Sequence, residues 1–144
     1  MILFVDTSAL LKAFQKESGT ETVIELLKNE ENEIVVSELT EIEFKSALFR
    51  RLRNGEITEN DLNELVVLFE DYIQSIDIEE INSLTIRTAD ELLTKHGKIG
   101  LRTLDAIQFA GFHLIETDLK TFISADLRLC SIIENAGNNV IEIK

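Results

Sequence analysis

The first eight residues, Met1-Ile2-Leu3-Phe4-Val5-Asp6-Thr7-Ser8, constrain the fold more than any other stretch of the chain. Five large apolar side chains follow one another without alternation, and a strand buries all of them only if other layers cover both of its faces. That is the environment of a central strand in a parallel α/β sheet. The run stops at Asp6, where a helix begins, and in open α/β sheets ligands bind beyond the carboxyl ends of the strands. Asp6 thus stands where such a fold keeps its chemistry. Asp, Thr and Ser are also favoured helix N-caps, so a cap and a functional carboxylate both remain open here.

The remaining chain alternates in the same style. Leu10, Leu11 and Phe14 predict a helix over residues 7–16, and Val23, Ile24, Leu26 and Leu27 predict a second before the strand Ile34-Val35-Val36. No hairpin turn separates the two strands, so they should pair in parallel. Ser37 is a natural cap for a third helix that ends at Asn54-Gly55, with Leu39, Ile42, Ala47 and Phe49 as its expected buried side. Glu43 falls at or beside that side, either as a buried acid in need of a partner or as a boundary residue paired with Lys45 or Arg50. A structural fourth helix is expected over 59–75, a very short strand at Ile76-Asp77-Ile78, and a fifth helix over 82–95 with Leu84, Ile86, Ala89, Leu92 and Leu93 as its apolar positions.

Residues 101–115 form the most apolar segment, predicted as a helix buried on most sides, with Asp105 in its first turn. His113 is expected as a satisfied core histidine and His96 as a solvated residue at a helix end. Thr121-Phe122-Ile123-Ser124 reads as a strand, followed by Asp126 and a helix over 127–135, which repeats the arrangement around Asp6. A strand over 140–143 closes the chain. These elements predict a three-layer α/β/α sandwich around a mostly parallel, about five-stranded sheet, built as one domain over residues 1–144.

A hydrophobic content of 44% with charges spread along 144 residues argues against wholesale disorder. A net charge of −13 argues against a general nucleic-acid coat protein but leaves room for a local site. Met1 to Val5 is too short for a signal core, and no apolar stretch reaches membrane-spanning length, so a cytoplasmic location is expected. Cys130 has no cysteine partner, which suits a reducing compartment. Neither a phosphate-binding glycine loop nor a dinucleotide fingerprint is present.

Two acids, Asp6 and Asp126, follow strands; Asp105 opens the helix before the second of these strands, and Glu43 projects from the third helix. If the two strands are neighbours, all four acids can meet at one sheet edge. Like charges at close range raise one another's pKa values and oppose folding unless a divalent cation neutralises them. Oxygen ligands without histidine or thiolate favour Mg²⁺ or Mn²⁺, the ions suited to in-line cleavage of phosphodiesters.

The segments Val5-Asp6-Thr7-Ser8-Ala9-Leu10, Ser37-Glu38-Leu39-Thr40-Glu41-Ile42-Glu43-Phe44, Leu101-Arg102-Thr103-Leu104-Asp105-Ala106 and Ser124-Ala125-Asp126-Leu127-Arg128-Leu129 resemble, in order and spacing, the motifs of PIN-domain ribonucleases, in particular VapC-type toxins. The resemblance spans essentially the whole chain. It implies an endoribonuclease with Asp6, Glu43, Asp105 and Asp126 as catalytic and metal-binding acids, supported by Ser124 and Thr7. It further implies homodimers and a cognate antitoxin that inserts basic residues into the site. RNA contact is expected from Lys45, Arg50, Arg51 and Arg53, which follow Glu43, although one helix cannot present all four on a single face. Two rival readings are a PIN scaffold that only binds protein or RNA, and a phosphatase using Asp6 as nucleophile. The second would call for an acid at the position of Ser8.

Overall fold

The computed structural model describes residues 1–144. Its elements are β1 (Ile2–Val5), α1 (Thr7–Phe14), α2 (Thr20–Lys28), β2 (Glu33–Ser37), α3 (Leu39–Arg53), α4 (Glu59–Ile73), β3 (Asp77–Glu79), α5 (Ser83–His96), a 3₁₀ turn (Gly97–Ile99), α6 (Thr103–His113), β4 (Lys120–Ser124), α7 (Leu127–Asn135) and β5 (Val140–Glu142). The five strands form one sheet in the order β3-β2-β1-β4-β5. Every pairing is parallel, with Phe4 level with both Val35 and Phe122. The chain first builds outward from β1 through β2 to β3, then returns to the other side of β1 for β4 and β5. The direction of building reverses at β1 and β4, which opens a crevice beyond their carboxyl ends.

The unbroken apolar run of β1 is explained by its two covered faces. Leu3 and Val5 join the core formed with α1, α2, α3 and α4, whereas Phe4 points into a separate core formed with α5, α6 and α7. The strand period of two sends neighbouring side chains to opposite layers. Phe4 stacks on Phe122 at 5.7 Å and meets Phe112 edge-on, while Phe44 and Phe69 stack at 3.9 Å in the other core. No helix is long and apolar enough to cross a membrane.

Three expectations for helix faces require correction. On α3 the buried residues are Thr40, Phe44 and Leu48, an i, i+4, i+8 row, whereas Ile42 is 68% and Phe49 48% exposed. The helix carries two apolar stripes, and docking of Phe44 onto Phe69 decides which turns inward. On α5, Leu84 and Ile86 are exposed and Thr85 and Thr88 are buried. Thr85 is drawn in by the helix cap, its hydroxyl accepting from the Asn82 amide and its own amide donating to the Asn82 side chain, both at 3.1 Å. His113 lies exposed at the last position of α6 rather than in the core. Smaller differences concern ends: α1 stops at Phe14, and the short third strand is displaced by one residue, to Asp77–Glu79.

Candidate active site

Asp6 and Asp126 follow equivalent strands, yet their carboxylates are used differently. Asp126 caps α7, its Oδ1 accepting from the amides of Arg128 at 3.0 Å and Leu129 at 3.1 Å. Asp6 occupies the N-cap position of α1 without capping it. Its Oδ2 instead accepts from the hydroxyls of Ser8 and Ser124, each at 2.7 Å. Those hydroxyls are themselves anchored by backbone amides, Ala125 donating to Ser8 and Asp126 donating to Ser124, both at 3.0 Å. The parallel pairing of β1 with β4 brings these groups together across 118 positions of sequence. The cap reading of Asp6 is thereby excluded.

Glu43 reaches the same crevice from α3. It sits beside the buried row of Phe44 and Leu48, which makes it half-buried at the layer boundary. Its Oε1 accepts from Gln108 Nε2 at 2.7 Å and from the Thr7 hydroxyl at 2.9 Å. Thr40 completes the cluster, its hydroxyl 3.2 Å from that of Thr7 and 3.3 Å from Gln108 Nε2. Neither Lys45 nor Arg50 pairs with Glu43: Lys45 meets Glu70 at 3.4 Å on the outer surface. Sequence reasoning missed Gln108, which is 1% exposed. The available signal was a lone amide among Ala106, Phe109, Ala110 and Phe112 in the most apolar helix, one turn beyond Asp105. A polar side chain in such a setting needs a partner.

Asp6, Glu43, Asp105 and Asp126 line one open cleft of about 540 Å³, together with Thr7, Ser8, Arg50 and Arg53. Arg51 turns away, bonding to Gln15 and pairing with Glu17 at 3.7 Å. Of the four basic residues expected to contact RNA, only Arg50 and Arg53 therefore share the cleft with the acids. Asp6 is 7% exposed, and burial pushes its pKa from 3.8 to about 6; the nearby Glu43 adds to the rise, against the lowering effect of the two serine hydroxyls. Asp105 is also raised, first by burial and then by the charge of Asp126, with Arg102 acting in the opposite direction. Cys130 is buried under β4, and burial lifts its thiol to about 11, consistent with an inert side chain.

The donor set consists of carboxylates and hydroxyls, the chemistry of a hard divalent cation. Asp6 Oδ2, Glu43 Oε1 and Asp126 Oδ1 are each engaged by protein donors. As the side chains lie, no three acids are grouped closely enough to hold one ion. The residue types nonetheless fit a divalent metal.

An all-parallel sheet with a cleft of four acids at its switch point, and no imidazole or thiolate among them, defines an α/β protein with a carboxylate centre. The family model for the PIN domain matches residues 3–134, and the chain belongs to that family. The VapC20 toxin of Mycobacterium tuberculosis, described as cleaving the sarcin-ricin loop, superposes with a TM-score of 0.72 at 17% identity, over 97% of this chain and 98% of that one. DNA-bound VapBC from Salmonella typhimurium gives 0.69 at 12% identity, over 100% and 99%. VapBC2 from Rickettsia felis, bound to a DNA fragment from its promoter, gives 0.65 at 14% over the whole of both chains. At these identities the likeness concerns the fold. No match was found among curated protein sequences.

Proposed function

We propose that the protein is a metal-dependent endoribonuclease that hydrolyses RNA phosphodiester bonds and serves as the toxin of a toxin–antitoxin pair. The observation that carries this reading is the Asp6 carboxylate, which is buried, spared from helix capping and held by two serines at a cleft shared with three further acids. Such an arrangement costs stability in the isolated fold, because burial strips the Asp6 carboxylate of water and the nearby Glu43 charge adds to the cost. A bound cation offsets that cost.

Asp6, Glu43, Asp105 and Asp126 would hold the metal, Mg²⁺ or Mn²⁺, which when bound supplies a water activated for attack and neutralises charge at the phosphate being cut. The chain's own side chains prepare the ligands. Ser8 and Ser124 fix the rotation of Asp6, and Thr7 and Gln108 hold one oxygen of Glu43, leaving its other oxygen for the cleft. Asp126 is oriented by the α7 amides it caps. Arg50 and Arg53 bring positive charge to the same cleft, where RNA phosphates need it.

The partners follow the same reading. The VapBC neighbours are toxin–antitoxin systems, which supports an antitoxin for this chain; an acidic cleft is suited to receive its basic side chains. The exposed apolar residues Ile42 and Phe49 on α3, with Val67 and Leu68 on α4, support a homodimer by offering surface for it. The test is cleavage of total RNA in Mn²⁺ by the wild-type chain and by Asp105→Asn purified in parallel, with a chelator control. Fragments that require both the ion and Asp105 are expected. Equal cleavage by the two proteins would reject the assignment, and no cleavage by either would favour a binding scaffold.

A further inference from the structure

A second depression adjoins the acid cleft and shares Glu43, Leu104, Asp105 and Asp126 with it. Its own basic residues are Arg102, before α6, and Arg128, in the first turn of α7. Four of the chain's six arginines therefore stand around the acids, Arg50 and Arg53 in one depression and Arg102 and Arg128 in the other. None of the four is in an ion pair, although the chain has 27 acidic residues against 14 basic ones. By contrast Arg51, on the same helix as the first pair, is neutralised by Glu17.

The second pair is also placed by the fold. The side chain of Arg128 lies across Gly100, whose φ is +105°; a Cβ there would come within 3.0 Å of Arg128 Cδ and 3.4 Å of its guanidinium. A glycine shelf thus supports the arginine and limits its freedom, which lowers the entropy lost when it binds an anion. Where the two depressions meet, Leu104 is 51% exposed.

We infer that Arg102 and Arg128 form a second phosphate-contact site, meeting the RNA backbone on the side of the acids away from Arg50 and Arg53. This rests on the nuclease reading above and adds the path of the substrate. Leu104, exposed where the two depressions meet, offers an apolar contact to a base of the strand between the two arginine pairs.

The test measures binding of a fluorescein-labelled, unstructured 12-nucleotide RNA by anisotropy over a series of salt concentrations. All proteins carry Asp105→Asn so that the strand stays whole. Arg102→Gln with Arg128→Gln, and separately Arg50→Gln with Arg53→Gln, remove charge while keeping side-chain length, and Arg87→Gln on α5 is the control. Each double variant is expected to weaken binding at least about tenfold and to flatten the slope of log affinity against log salt by about 1.4, or about 0.7 for each lost phosphate contact. The control should match its parent. A slope changed only by the Arg50 and Arg53 pair would overturn the two-sided path and leave the nuclease reading intact. If the parent binds no RNA and the chain with Asp105 restored cuts none, both fail together.

Discussion

Asp6→Asn should make the metal-free protein more stable. Raising the Asp6 pKa from 3.8 to about 6 corresponds to about 3 kcal/mol of free energy, at about 1.4 kcal/mol per unit. Because this acid's pKa is raised on folding, the native state holds the proton more tightly than the unfolded chain. Below pH 3.8 both states are protonated and nothing is lost. Stability then falls as pH rises from 3.8 to about 6, and above that the full penalty applies. An asparagine keeps an oxygen to accept from Ser8 and Ser124 but carries no charge. With chelator at about pH 7.5 the substitution should therefore add about 2–3 kcal/mol, which for a chain of 144 residues raises the Tm by roughly 6–9 °C. At about pH 4 the two proteins should unfold together. Thermal unfolding followed by circular dichroism at both pH values makes the comparison, and other titrating groups cancel because both proteins share them. Added Mn²⁺ should then raise the wild-type Tm by mass action and move Asp6→Asn much less. Equal stability near neutral pH, or a gain that persists in acid, would refute the argument that burial of charge is the cost of this site.

Ser124→Ala removes a hydroxyl that stabilises ionised Asp6, so the Asp6 pKa should rise above that of the wild type in a carboxyl-carbon NMR titration. Gln108→Leu frees Glu43 from its amide partner and should weaken Mn²⁺ binding about 10–100-fold by calorimetry while the fold is retained. Phe69→Ala empties a position that is 1% exposed and stacked on Phe44, and should cost about 3–5 kcal/mol in urea unfolding. Thr58→Ala breaks the capping box at the start of α4, whose residues do not line the acid cleft; about 1 kcal/mol of stability should be lost with metal binding unchanged.

The amino-acid sequence by itself determined the layers and the candidate acids. An apolar run without alternation requires two covered faces, and the spacing of Leu62, Leu65, Phe69 and Ile73 requires a helix with one buried side. These are local periodicities, and the structure follows them closely. The four motif segments also mark Asp6, Glu43, Asp105 and Asp126, and all four line one cleft. What remained undecided were choices between residues of similar chemistry. Asp6 and Asp126 have the same local setting, yet Asp126 caps its helix and Asp6 does not, because Ser124 lies beside Asp6 on the neighbouring strand. On α3 both Phe44 and Phe49 are apolar enough to be buried, and the ring of Phe69 selects Phe44. Arg50 and Arg53 face the cleft while Arg51 pairs with Glu17 from the loop after α1. The amide of Gln108 meets Glu43 only because α3 and α6 converge at the edge of the sheet. In each case the deciding partner is distant in sequence, and a hydrogen bond, ion pair or ring contact of a few ångströms depends on the packing that brings the two together.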